Sequence, residues 1–180
     1  MEKSQGKLIA NIGMSLDEVR QRSSLKLAEG NYTTLVSSEI VFDFELEGSP
    51  RLQFLNCQYY LLRTDDNQKL VEINIGIAPR KLNWSELAKL MRKAEQLLLD
   101  DEWKPAHYKE GITAQESMNK TLGRATPASR FNVGYTWGKR AIALTLSAKL
   151  MHKSEFITFL KLEPREEWEK SANPFGHTLP

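Results

Sequence analysis

The sequence predicts an α+β protein made of two helix-plus-three-stranded antiparallel meander units (αβββ-αβββ) sharing a core. Two observations carry that prediction. A helix opens twice in the same way, at Met14-Ser15-Leu16-Asp17-Glu18-Val19 and at Leu82-Asn83-Trp84-Ser85-Glu86-Leu87. In each, a Ser or Asn side chain can accept from the amide three residues on while a glutamate reaches back, and the flanking apolar pair (Met14/Val19, Leu82/Leu87) closes over the turn. Each opening is also followed by three strand-like runs separated by turn residues, and short turns between successive strands make antiparallel sheets. The 180 residues read as one α+β domain over 1–170, with pseudo-repeat halves of about 1–80 and 81–170, and a loose tail over 171–180 that holds two prolines and a glycine.

In chain order, Lys7 to Ile12 read as a lead-in strand and Leu16 to about Arg22 as a short helix, with 23–32 as a connection. Ile40, Phe42, Phe44 and Leu46 alternate with Val41, Asp43 and Glu45, the period of a half-buried strand. Glu47-Gly48-Ser49-Pro50 is a turn cluster. Residues 51–63 carry apolar side chains on both faces and so form the central strand. After an Asp65-Asp66-Asn67 turn, Val71, Ile73, Ile75 and Ile77 line one face of the third strand, which ends at Pro79.

The second unit opens with the strongest helix. Trp84, Leu87, Met91, Ala94 and Leu98 make one stripe, widened by Leu90 and Leu97. Asp100, Asp101 and Glu102 at its end oppose the helix dipole. Ala114–Leu122 follows as a helix with Thr113 as N-cap and Gly123 as a terminating glycine. Phe131, Val133, Tyr135 and Trp137 start the second meander, Gly138-Lys139 suits a Gly-first two-residue hairpin turn, and Ile142 to Leu150 return. Met151 to Ser154 turn again, and Phe156 to Leu162 close the meander before Pro164.

Composition excludes several classes. With 41% apolar and 27% charged residues the chain is ordinary for a globular protein, and no run approaches the roughly 20 apolar residues of a membrane span. The single cysteine, Cys57, falls mid-strand and reads as a buried, inert thiol. The polar start, Met1 to Lys7, lacks the apolar core of a signal peptide. The expected compartment is therefore the cytoplasm, or the periplasm if an export segment was trimmed.

No catalytic constellation is legible. His107, His152 and His177 have no metal-ligand spacing, no glycine loop follows a strand, and adjacent carboxylates diverge. The expectation is a protein without a cofactor, metal ion or catalytic residue. A hydrolase using Asp101, Glu102 and His107 is the enzymatic alternative.

Charge is more telling. The net charge is only +2, yet Lys104 to Lys153 holds nine basic residues opposed by Glu110 and Glu116 alone, a local +7. Within it Arg124, Arg130, Lys139 and Arg140 surround Tyr135 and Trp137, residue types enriched at protein-binding hot spots. Those six are the candidate partner-binding residues. The same aromatics also fit the core face of one strand, with the charges on solvated turns. A basic strip with aromatics can hold single-stranded nucleic acid, but a pI near 8.6 is low for that role, and nucleic acid is not expected as a partner.

The segment Ile12-Gly13-Met14-Ser15-Leu16-Asp17-Glu18-Val19 resembles the helix opening of the BamE-type (SmpA/OmlA) outer-membrane assembly lipoproteins, which carry a Gly-Met-Thr/Ser start and a valine on the helix. That resemblance implies an envelope-assembly adaptor or scaffolding protein, although no lipid-bearing cysteine is visible here and no Gly-x-Pro closes the helix. The tandem helix-plus-sheet plan is similar to that of secreted inhibitors and bacterial toxin-immunity proteins. It implies a non-catalytic module that neutralises a secreted toxin by direct binding.

Overall fold

The computed structural model describes residues 6–27, 34–44, 52–77, 81–108, 111–126, 132–152 and 155–180. Leu46, the turn expected at 47–50, Pro79, Arg130, Phe131 and Lys153 lie outside them. The chain is α+β and forms two compact units, Met1–Arg80 and Lys81–Pro180.

The first unit runs β1 (Gly6–Ala10), α1 (Leu16–Arg22), β2 (Thr34–Phe44), β3 (Leu52–Thr64) and β4 (Leu70–Gly76). Helix α1 opens with the expected capping box, Ser15 Oγ accepting from Glu18 N–H and Glu18 from Ser15 N–H. Gly13 makes this start possible: its φ of +88° suits a glycine, and its amide donates to Leu70 O while Leu70 N–H donates to Met14 O. Those two bonds tie the helix start to the head of β4. The expected meander β2-β3-β4 is antiparallel. Strand β1, by contrast, pairs parallel with β2, Leu8 opposite Phe42. The cause is the crossover through α1, which returns the chain in its original direction, as a hairpin cannot. Strand β2 starts six residues before the alternating run at Ile40 and contains register shifts, which hide its first half from a period-two reading. Cys57 is buried, as expected.

The second unit runs α2 (Trp84–Asp100), β5 (Lys104–Pro105), α3 (Ala114–Leu122), β6 (Asn132–Lys139), β7 (Ile142–His152), β8 (Glu155–Pro164) and α4 (Arg165–Ala172), then a 3-10 turn at Asn173–Phe175. Capping boxes open α2 (Asn83/Glu86) and α3 (Thr113/Glu116). Leu82 and Phe156 exchange both backbone hydrogen bonds, so the start of α2 is fixed to the start of β8. It is α3, not α2, that immediately precedes this meander, so β5-α3-β6-β7-β8 is the counterpart of β1-α1-β2-β3-β4, and α2 is additional. The edge strand differs too: β5 is antiparallel to β6.

Register gives the two faces of the second sheet. Tyr135, Leu146 and Leu160 lie side by side, as do Trp137, Leu144 and Leu162; all six are buried. Phe156 lies on this face, with the Trp84 ring of α2 at 5.6 Å. The other face carries Gly134/Ser147/Phe159, Thr136/Thr145/Lys161 and Gly138/Ala143/Glu163, with the Thr136 and Thr145 hydroxyls 2.8 Å apart.

Two turn expectations are corrected. The β6–β7 hairpin turns at Arg140-Ala141, not Gly138-Lys139, and Arg140 itself takes the left-handed φ of +53°. Gly138 stays in the strand because its missing Cβ admits Leu179: a Cβ there would sit 2.9 Å from Leu179 Cδ2. Gly123 ends α3 with φ −77°, so it is not the left-handed terminator expected. His152 pairs with Glu155 within the sheet rather than lying in a turn.

The expected loose tail is also corrected. Ser171 and Ala172 complete α4, Leu179 is buried, and Thr178 exchanges backbone hydrogen bonds with His107. Proline and glycine content suggested looseness, but the local pattern could not reveal partners seventy residues away.

Among the described residues β1 and β5 have bonded outer edges. On β1, Lys7 N–H and Ile9 N–H donate to the Ser24 and Ser23 hydroxyls, while Lys7 O accepts from Ser24 and Leu25. Beyond β5, Thr178 occupies His107. An exposed row of strand donors and acceptors invites aggregation, and both edges are blunted against it. No helix among the described residues is long and apolar enough to cross a membrane.

Candidate binding surface

The six candidate partner residues do not form one face. Tyr135 and Trp137 belong to the core, with Trp137 fully buried. Burial raises the Tyr135 phenol pKa, with the nearby Thr121 side chain of α3 and the Arg124 charge opposing. These rings are the apolar surface on which the sheet closes, and no partner reaches them in the folded chain. Arg130 lies outside the described residues. Arg124 and Arg140 are exposed, and the Arg124 carbonyl accepts the Trp84 indole N–H at 3.0 Å.

Lys139 has another task. Its Nζ lies 3.0 Å from Asp101 Oδ1 and also donates to the Asp101 carbonyl oxygen. Asp101 caps α2, and its other carboxylate oxygen accepts the indole N–H of the buried Trp103 at 3.1 Å. The two charged side chains are 5% and 11% exposed. One lysine at the end of β6 therefore neutralises the carboxylate and satisfies a helix-terminal carbonyl, which otherwise lacks an intrahelical partner. This resolves the apparent conflict between Asp101 and the helix dipole: a cation sits where the dipole favours one. Sequence reasoning missed the contact because Asp101 and Lys139 are 38 residues apart; an acidic residue ending an amphipathic helix was the only signal.

The proposed hydrolase group is not assembled as a free acid–base set. The Asp101 carboxylate is engaged by Trp103 and Lys139. Glu102 is exposed with a left-handed φ of +62°, and the His107 main chain is paired with Thr178. Burial pushes the Tyr108 phenol up to about 12 while its hydroxyl donates to Gly134 O at 3.1 Å, so near neutrality it is a neutral donor. Among the described residues no three His, Cys, Asp or Glu side chains are grouped to hold a metal ion.

Within 104–152 the exposed charge is mostly basic. Lys104, Lys120, Arg124, Arg140 and Lys149 are exposed. Within 104–153 the one described carboxylate, Glu116, is held by the Thr113 cap, whose hydrogen bonds keep its pKa below the ordinary value. Three of these cations lie at two ends of the sheet. Lys104 pairs with Gly138 beside the Arg140 turn, whereas Lys149 pairs with Asn132 at the opposite end of β6, roughly 23 Å away at 3.3 Å per residue. Period and charge counts put them in one strip; strand register separates them.

One buried acid stands apart. Glu95 lies on the apolar face of α2 among Met91, Ala94 and Leu98, 7% exposed. Desolvation raises its pKa above the ordinary 4.5, with Arg92 opposing. A carboxyl that holds its proton more tightly folded than unfolded adds stability below pH 4.5 and loses it as pH rises through the folded value. Glu95→Gln is therefore expected to raise the melting temperature at pH 7 and leave it unchanged near pH 3. Thermal melts across that range measure it, and an advantage at pH 3 that vanishes at pH 7 contradicts it.

No protein-family model, characterised protein or solved structure matches the chain. The site must be read from its own residues.

Proposed function

We propose that the chain is a non-catalytic binding protein that masks an acidic protein partner, acting as an immunity protein against a secreted bacterial toxin. The observation that carries this reading is the division of charge in the second unit. Between Lys104 and His152, Lys104, Lys120, Arg124, Arg140 and Lys149 are exposed, Asp101 just before them is neutralised inside, and the exposed Glu116 is the one described carboxylate among them; the exposed acids Asp100, Glu102, Glu155, Glu166 and Glu167 of the unit lie outside that span. Such a surface steers an oppositely charged partner and raises its association rate. A standard interface takes about 800 Å² from each partner, a footprint wide enough to meet both cationic ends.

The test presents immobilised chain with the purified secreted toxins encoded beside its gene. One toxin is expected to be retained and inactivated at equimolar ratio. The double variant Arg124→Glu/Arg140→Asn should weaken capture at least about tenfold, mainly through the association rate. Asparagine tolerates the left-handed φ at position 140, so the turn survives the charge loss. Retention of no toxin, or equal retention by the variant, overturns the proposal.

A further inference from the structure

The segment Gly176–Pro180 lies on a seat built for an extended strand. Thr178 N–H donates to His107 O at 2.9 Å and His107 N–H to Thr178 O at 2.8 Å, antiparallel on the outer side of the β5 chain. One residue on, Leu179 is buried in the notch that Gly138 leaves by lacking a Cβ. The guanidinium of Arg165 then donates to the Leu179 carbonyl at 2.6 Å and to the Pro180 carbonyl at 2.9 Å. Backbone pairing, a pocket for one alternate side chain and a fork holding two carbonyls are the components of strand-addition recognition.

The segment is also poised to leave. Thr178 and Pro180 are exposed, Phe175 is 64% exposed, and Gly176 supplies a hinge at φ +69°. On its open side the segment borders a groove of about 570 Å³ lined by Glu166, Glu169, Lys170, His177, Thr178 and Leu179. Among the described residues, what holds it is the two Thr178/His107 backbone bonds, a longer one from His177 N–H to Ala172 O at 3.4 Å, one leucine, one arginine and the tilted contact of the His177 and Tyr108 rings at 4.5 Å.

We propose that this seat is a strand-addition site for an extended segment of a protein partner with a branched aliphatic side chain in the Gly138 notch, and that residues 176–180 occupy it in cis as a displaceable strap. The idea rests on reading the chain as a binding module but not on its cationic surface. A self-occupied site binds a competitor in proportion to the fraction open, so partner affinity is tuned by the strap. Glu166 at the groove rim favours a neutral or basic segment over an acidic one.

The probe is a synthetic peptide of residues 173–180, followed by fluorescence anisotropy on the full chain. Leu179→Glu, which expels the strap, is expected to bind the peptide at least about tenfold more tightly than the unaltered chain. Adding Gly138→Val to that variant, which fills the notch, should abolish binding while the far-UV spectrum stays native. A folded Leu179→Glu variant that binds no better than the unaltered chain overturns the proposal. In the unaltered chain, the His107 and Thr178 amides should exchange hydrogen at least about tenfold faster than Leu146; equal protection overturns it without any substitution. A concentration-dependent dimer lost in Leu179→Glu would assign the seat to a second copy and overturn the partner assignment. Toxin capture can fail while peptide binding succeeds, and the reverse, so the two proposals fall separately.

Discussion

Replacing Trp137 with alanine is expected to remove most of the stability of the second unit, about 3–5 kcal/mol. The indole is fully buried between neighbours fixed by register, Leu144 beside it and Leu162 one strand further. A cavity of that size in a close-packed sheet face refills poorly. Small domains hold only about 5–15 kcal/mol in total, so urea denaturation should show a large fall in midpoint or no folded baseline. Trp137→Phe gives the contrast. The indole Nε1 has no hydrogen-bond partner among the described residues, so the phenyl ring loses area but also removes a buried unsatisfied donor. Its expected cost is below about 1.5 kcal/mol. The pair separates core from anchor: a binding role for Trp137 would give a folded alanine variant that fails to bind, and unfolding by Trp137→Ala with near-normal Trp137→Phe excludes it.

The parts of this fold legible in the sequence are those written within a few residues. The capping boxes at Ser15/Glu18 and Asn83/Glu86 fix helix starts through contacts three residues long, and both are present in the structure. The apolar stripe of α2, the apolar runs of β3 and β8 and the alternation in β4 and β7 are equally local. What escaped depends on contacts between distant positions. The glycine at 138 fits a turn and serves instead as a notch for Leu179, because turn preference and close approach ask for the same residue. The parallel pairing of β1 follows from the crossover of α1, which no periodicity in Lys7–Ile12 announces. The candidate site shows the same divide. Charge and aromatic content single out the stretch 124–140 but not which side chains face out, since Tyr135 and Trp137 alternate with Thr136 and Gly138 toward a core that only register defines.

Breaking the Asp101–Lys139 pair is expected to cost about 3–5 kcal/mol for either single substitution, because each leaves the other charge buried without its partner. Asp101→Ala also removes the acceptor of the Trp103 indole, and Lys139→Met uncovers the terminal carbonyl of α2. The double variant Asp101→Ala/Lys139→Met should lose less than the sum of the two, since no charge is then stranded. The difference measures a coupling of at least about 1 kcal/mol. Salt gives an independent check: exposed pairs are screened, whereas a pair buried to this degree is screened much less, so the coupling should persist at 1 M sodium chloride. Additive losses, or a coupling that disappears with salt, would return Lys139 to the surface and to the partner-binding set. If the coupling holds, Lys139 drops out of the proposed cationic surface, which is left to Arg124, Arg140 and the exposed lysines, and its role is to hold the end of α2 against β6.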